Sequence, residues 1–189
     1  MRRRWPLLVL AWIGIASPAL AADPTLAITK SYVVASDPLG LARPRMLPGV
    51  EIDYALTVTN PVQDIIRVDL LGLVTLSSDT IGAPTIVEDI PEGLALRVTN
   101  YAASGNGGPV EFTDGGTLKL TNSGLRYSFS SLDSTGDGLD FFDGTKWGYV
   151  PTPDTSGYDP KVRAIRVTTT GTRMAGLGSF RLRYRARIQ

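Results

Sequence analysis

Across its 189 residues the chain contains no cysteine and no histidine, and 19 Lys and Arg face 18 Asp and Glu. These absences exclude Ser-His-Asp and Cys-His catalysis, disulfide staples, and every metal site that needs a His or Cys ligand. A charge balance this close to neutral gives no argument for a nucleic-acid partner.

The N-terminus reads as a secretory signal. Arg2, Arg3 and Arg4 form a basic start, Trp5 to Ile15 is apolar, and Ser17-Pro18-Ala19-Leu20-Ala21 offers small residues at a cleavage site. The apolar run is shorter than the ~20 residues that a membrane span needs, and no cysteine follows it to carry a lipid. The expectation is cleavage after Ala21 and an exported protein, periplasmic, cell-surface or secreted, with no transmembrane span left after removal. Residues 22–189 would form one domain carrying sixteen basic and eighteen acidic residues, a net charge of −2.

Strand signals then follow in chain order. Residues 25–35 open with the β-prone Thr25-Leu26-Ala27-Ile28-Thr29, which either folds back on its own sheet or exchanges with another copy. Val50, Ile52, Tyr54, Leu56 and Val58 alternate with Glu51, Asp53, Ala55, Thr57 and Thr59, giving one dry and one wet face. Further candidates are 65–76, 85–89, the alternating Leu94, Leu96 and Val98, then 110–113 and 118–121. Leu125, Tyr127 and Phe129 alternate with polar residues, 163–169 is another candidate, and Phe180, Leu182, Tyr184, Ala186 and Ile188 alternate with four arginines. Turn formers separate them, among them Leu47-Pro48-Gly49, Gly105-Asn106-Gly107-Gly108, Asp114-Gly115-Gly116 and Asp143-Gly144. No amphipathic helix is apparent. One-sided alternation on many short strands predicts an all-β, antiparallel β-sandwich.

Two stretches carry a family resemblance. Lys30, Asp37-Pro38 and Pro48-Gly49, followed by Tyr54 and Thr57-Val58-Thr59-Asn60, resemble the opening of the bacterial conserved-repeat surface domain, domain of unknown function number eleven. Asp143-Gly144, Trp147, Tyr149, Pro151, Asp159-Pro160, Ala164 to Val167, and Gly178-Ser179-Phe180 with Leu182 and Tyr184 resemble its end. The likeness spans 25–188 and is loosest in the middle. It implies an immunoglobulin-like sandwich displayed on cell surfaces or within large exported proteins, with no catalytic residues to carry over.

Several clusters invite chemistry. Asp133, Asp137 and Asp140 lie in an Asp- and Gly-rich stretch where Asp137 and Gly138 fall at positions five and six of an EF-hand-like count. Thr135 at position three and Gly144 at position twelve depart from that pattern, and Asp-Gly runs also make ordinary turns. Apart from this calcium reading, no cofactor is expected. The same carboxylates could serve a glycosidase, although no spacing selects a pair. Trp147 and Tyr149, of matching parity, read either as a sugar-stacking platform or as core aromatics. The glycines at 105–108 precede strand rather than helix and make no phosphate cradle. Lys30 has no Asn, Asp or Glu on the last strand for an isopeptide bond. Arg181, Arg183, Arg185 and Arg187 form a row about 20 Å long on a wet face. Either acidic residues such as Glu51, Asp53 or those of 133–159 neutralise it, or it meets an external polyanion such as an acidic glycan.

The functional expectation is a non-enzymatic structural or interaction module of a bacterial envelope or surface. Its partners would be an envelope or surface protein, an anionic glycan or another copy of itself. The alternative is a carbohydrate-binding or carbohydrate-processing exported domain.

Overall fold

The computed structural model describes residues 25–40, 45–61, 65–68, 74–77, 81–101, 107–115 and 122–189. The expected signal peptide and the expected strand at 118–121 lie outside these residues, as do Gly105, Asn106 and Gly116.

Among the described residues there are eleven strands and no helix, hence none long and apolar enough to cross a membrane. The strands are β1 Ala27–Ser36, β2 Glu51–Thr59, β3 Ile65–Val68, β4 Val74–Ser77, β5 Thr85–Asp89 and β6 Leu94–Arg97. They continue as β7 Val110–Asp114, β8 Leu139–Phe142, β9 Tyr158–Asp159, β10 Ala164–Thr168 and β11 Ser179–Ile188. The larger sheet has the order β1-β2-β11-β6-β9, with β7 also on β11, and the smaller has the order β5-β10-β8. All of these pairings are antiparallel.

Strand β11 lies at the centre of the larger sheet. One side pairs with β2 from Ser179 to Arg187; on the other, β7 takes Phe180 to Tyr184 and β6 takes Ala186 to Ile188. Its alternation then does two jobs, because successive strand side chains point to opposite faces. Phe180, Leu182, Tyr184 and Ala186 are buried with Leu56 and Val58 of β2 and Leu94 and Leu96 of β6. The smaller sheet supplies Ile86, Leu139, Phe141, Ile165 and Val167 to the same cluster. Two antiparallel sheets therefore face each other across one apolar core, a sandwich-like arrangement.

Three local expectations need correction. The run 65–76 forms two strands, paired from Ile65 with Ser77 to Val68 with Val74. Leu125, Tyr127 and Phe129 follow the expected inward alternation but make no ladder. Arg126 pairs only with Thr170, and the Ser128 carbonyl accepts from Gly138 N–H instead. The acidic stretch 133–144 is not one loop, because Leu139 and Phe141 turn its second half into β8.

Asn60 closes β2. Its side-chain amide donates to the carbonyls of Met174 (3.3 Å) and Ala175 (3.2 Å), and its backbone N–H donates to Gly178 (2.9 Å). The side chain is buried, and it ties the end of β2 to the segment that leads into β11. Asn60→Ala should lower unfolding free energy by about 1–3 kcal/mol, since it removes two amide hydrogen bonds and takes this donor from the buried Met174 carbonyl. Denaturant melts read by far-UV dichroism measure this; an unchanged midpoint would contradict the assignment.

Candidate functional site

The arginine row occupies the outer face of the larger sheet, opposite the core. Register decides its partners. Arg183 stands across from Glu111 of β7 and pairs with it, and Arg185 stands across from Asp53 of β2. The Arg185 guanidinium reaches Asp53 through Nε at 2.6 Å and Nη2 at 2.9 Å, and Glu51 through Nη1 at 3.3 Å. The hydrogen bond to Asp53 is the largest influence holding Arg185 in its charged form, raising its pKa against the opposing effect of burial. Arg187 donates to Asp154 at 2.7 Å and lies over the Tyr158 ring, 4.3 Å from its centre. Tyr158 in turn donates to Glu51 at 2.6 Å.

Arg181 differs from the other three. Across from it stand Thr57 and Thr113, and among the described residues no carboxylate pairs with it. Beside it the face dips into an open trough of about 250 Å³ whose walls include Ser31, Val33, Ala55, Tyr101, Arg181 and Arg183. Tyr101 lines one side of the trough, and the guanidinium groups of Arg183 and Arg185 lie 5.2 and 5.8 Å from its ring centre. Burial and the Asp53 charge raise its pKa.

The aspartates read as either calcium ligands or turn residues have separate tasks. Asp137 accepts from the N–H and hydroxyl of Ser130 (2.8 and 2.9 Å) and from Leu139 N–H (3.1 Å). Burial opposes its ionisation, but these bonds prevail and its pKa falls. Asp133 accepts from Ser131, which lowers its pKa, and Asp140 accepts from Phe141 and Gly148 N–H groups and pairs with Arg166. Among the described residues no three acidic side chains converge on a point that could hold a metal ion. Gly138 is required for close packing: a Cβ there would lie 2.7 Å from the Thr168 carbonyl and 2.9 Å from the Tyr127 ring. Asp143 is a half-buried residue just after β8 whose pKa is lowered to about 2, held down first by the Thr145 hydroxyl and then by the N–H groups of Lys146 and Thr145.

The two aromatics do not share a strand face. Gly148, at φ 79°, separates them and breaks the alternation that equal parity assumed. Trp147 lies against Phe142, with ring centres 5.2 Å apart, and the Arg166 guanidinium lies 4.5 Å from its ring centre. Tyr149 packs on the core and donates to buried Asp159 at 2.8 Å, while Asp159 also accepts from Thr152 (2.7 Å) and Lys161 (2.8 Å).

Lys30 pairs with Glu88 of β5 and lies 4.9 Å from the Tyr54 ring centre. Tyr184 donates to the same Glu88 oxygen at 2.6 Å, and Tyr32, Tyr54 and Tyr184 follow one another across the sheet at 6.2 and 5.1 Å between ring centres. Sequence reasoning missed Glu88, Glu111 and Tyr101 because each meets its partner only through strand order. No protein-family model matches the chain, and no curated protein or solved structure matches it.

Arg185→Ser should destabilise the fold by about 1–3 kcal/mol, because half-buried Asp53 and Glu51 would lose their charged donor. Arg181→Ser should stay within about 0.5 kcal/mol of the parent protein. Thermal melts of both variants compare the two; equal losses would refute the division of the row. A second outcome concerns alkali. Burial and then the Asp159 hydrogen bond push Tyr149 up to about 12, and burial with a carboxylate partner also raises Tyr158 and Tyr184. A tyrosine pKa raised on folding stabilises fully below its ordinary value near 10 and loses that contribution as pH rises through the folded value. Stability should therefore fall from pH 10 to 12, and Tyr149→Phe should flatten that slope in denaturant melts taken across the range.

Proposed function

We propose that this chain is an exported, non-enzymatic structural or interaction module of a bacterial cell envelope, built on an immunoglobulin-like sandwich of the conserved-repeat surface type. One observation carries the reading. Of the nine large apolar side chains exposed among the described residues, six lie on β1 or in the loop that leads to β2: Ile28, Tyr32, Val33, Leu39, Met46 and Leu47. Apolar exposure concentrated in this way marks contact surface rather than ordinary scatter.

The chemistry-bearing side chains support the same reading by being engaged elsewhere. The aspartates of 133–159 hold turns, three of the four arginines hold carboxylates, and Trp147 is occupied by Phe142 and Arg166. The carbohydrate alternative would call for Trp147 and Tyr149 on one face, and Gly148 at φ 79° sets them apart. The sequence supplies the address through its basic start, apolar run and Ala19-Leu20-Ala21.

Expression of the whole chain in a Gram-negative host, followed by fractionation and N-terminal sequencing, tests the reading. The expected product begins at Ala22 and is recovered with the envelope or outside the cell. A product that keeps Met1 and stays in the cytoplasm would refute it.

A further inference from the structure

We propose that β1 is the seat of a symmetric dimer, in which its free edge pairs antiparallel with β1 of a second copy of this chain. The inference rests on the interaction-module reading and names its partner. Strand β1 ends the order β1-β2-β11-β6-β9: one side is paired with β2 along its length, and no strand lies on the other among the described residues. It is ten residues long, whereas β5 and β8, which flank the smaller sheet, have five and four, and β9 has two. An edge of that length presents a row of backbone donors and acceptors to any strand that fits.

Natural edges are usually blunted by proline, by charge, by bulges or by brevity; the one register shift of β1, between Val34 and Ser36, lies beyond the segment 28–34 that the dimer would use. Here Ala-Ile-Thr-Lys-Ser-Tyr-Val-Val-Ala-Ser has no proline, and its single charge, Lys30, is already paired with Glu88. Nine of its ten residues are exposed, with Ile28, Tyr32 and Val33 at 52%, 59% and 63%. Covering them would remove apolar surface from water on both faces of the sheet.

The sequence of β1 is complementary to itself in one register. The residues facing inward are Ile28, Lys30, Tyr32 and Val34, and those facing outward include Thr29, Ser31 and Val33, as their pairing with β2 shows. A two-fold axis normal to the sheet at Ser31 sets Ile28 opposite Val34, Lys30 opposite Tyr32 and Thr29 opposite Val33 of the second copy. Each is a favourable cross-strand pair. Centring the axis on Lys30 would set two lysines face to face, and centring it on Tyr32 would set Lys30 against Val34. Ser31 on the axis is small enough to meet its own copy. The two larger sheets would then join into one continuous sheet.

Sedimentation velocity on residues 22–189 at high micromolar concentration should give a dimer that dissociates on dilution. Ser31→Lys, an exposed change that sets two like charges on the axis, should raise the dissociation constant by at least ~10-fold with an unchanged far-UV spectrum. Register is tested separately. The chain has no cysteine, so Ser31→Cys should form a disulfide-linked dimer under mild oxidation, whereas Thr29→Cys, remote from its own copy in this register, should not. A monomer at high concentration, a dimer indifferent to Ser31→Lys, or equal crosslinking of both cysteine variants would overturn the proposal. If Ser31→Lys fails to fold, the cysteine pair decides. A monomer that is still exported and processed at Ala22 would refute the dimer alone and leave the module reading intact.

Discussion

The pairing of β11 with β2 is the constraint on which the rest depends. The two strands face each other over nine residue pairs, from Ser179 with Thr59 to Arg187 with Glu51, although some 120 residues separate them in the chain. With no disulfide available to bring these segments together, the pairing must be held by burial on one face and by ion pairs on the other. The apolar half, Phe180 to Ala186, is the middle of the core. The basic half would be a line of like charges at the centre of a sheet if its neighbours did not answer it. Each answer comes from a different place: Glu111 from β7, Asp53 and Glu51 from β2, and Asp154 from the loop before β9. The exposed Arg187–Asp154 pair contributes at most ~1 kcal/mol, and the half-buried pairs of Arg183 and Arg185 somewhat more. Their larger effect is on register, since a slip of one residue would turn every arginine into the core.

A second network ties the edge of the larger sheet to the smaller one. Glu88 projects inward from β5, where it meets Lys30 of β1 and the hydroxyl of Tyr184. A half-buried carboxylate there is tolerable because both a cation and a phenol answer it. The stacked rings of Tyr54 and Tyr184, with Tyr32 beyond them, continue the contact toward the edge. Burial raises the pKa of Tyr184 first, and the hydrogen bond to Glu88 adds to it. The resemblance motif around Tyr54 and Asn60 thus maps onto structural duties: one stacks at the sheet edge, the other ties β2 to the segment before β11.

What was legible in the sequence was whatever depends on period two. Strands β2 and β11 show one-sided alternation because one face of each meets the core, and that pattern survives without knowledge of neighbours; in β6 the alternation of Leu94 and Leu96 was legible, but Ala95 on the opposite face is buried as well. The neutralisation of the arginine row was legible as an alternative, with Glu51 and Asp53 among the candidates. Which arginine would be left over was not, because Arg181 differs from Arg183 only in what stands across from it on β2 and β7. Strand β8 was obscured by its own composition. Asp137, Gly138, Asp140 and Asp143 read as a loop, yet Gly138 is there so that two backbones can approach, and Leu139 and Phe141 are core. Equal parity failed at Trp147 and Tyr149 for a related reason. A left-handed glycine between two residues reverses the geometry that parity counting assumes.

Strand β1 gains least from the fold that holds it. Nine of its ten residues are exposed, so it draws little stabilisation from burial, and backbone hydrogen bonds exchanged with water contribute only ~1 kcal/mol each on balance. Its side-chain anchors are few: Lys30 on Glu88, Tyr32 against Tyr54, and Leu26 on the core just before the strand begins. The β2 ladder beside it is secured on its other side by the whole length of β11. Opening of the sheet should therefore begin at β1 and stop at β2, since local stability follows buried contact. A strand that is geometrically fixed but weakly buried has more to gain from a further partner than any other element of the larger sheet. The same physics makes it the element whose exposure most needs explaining.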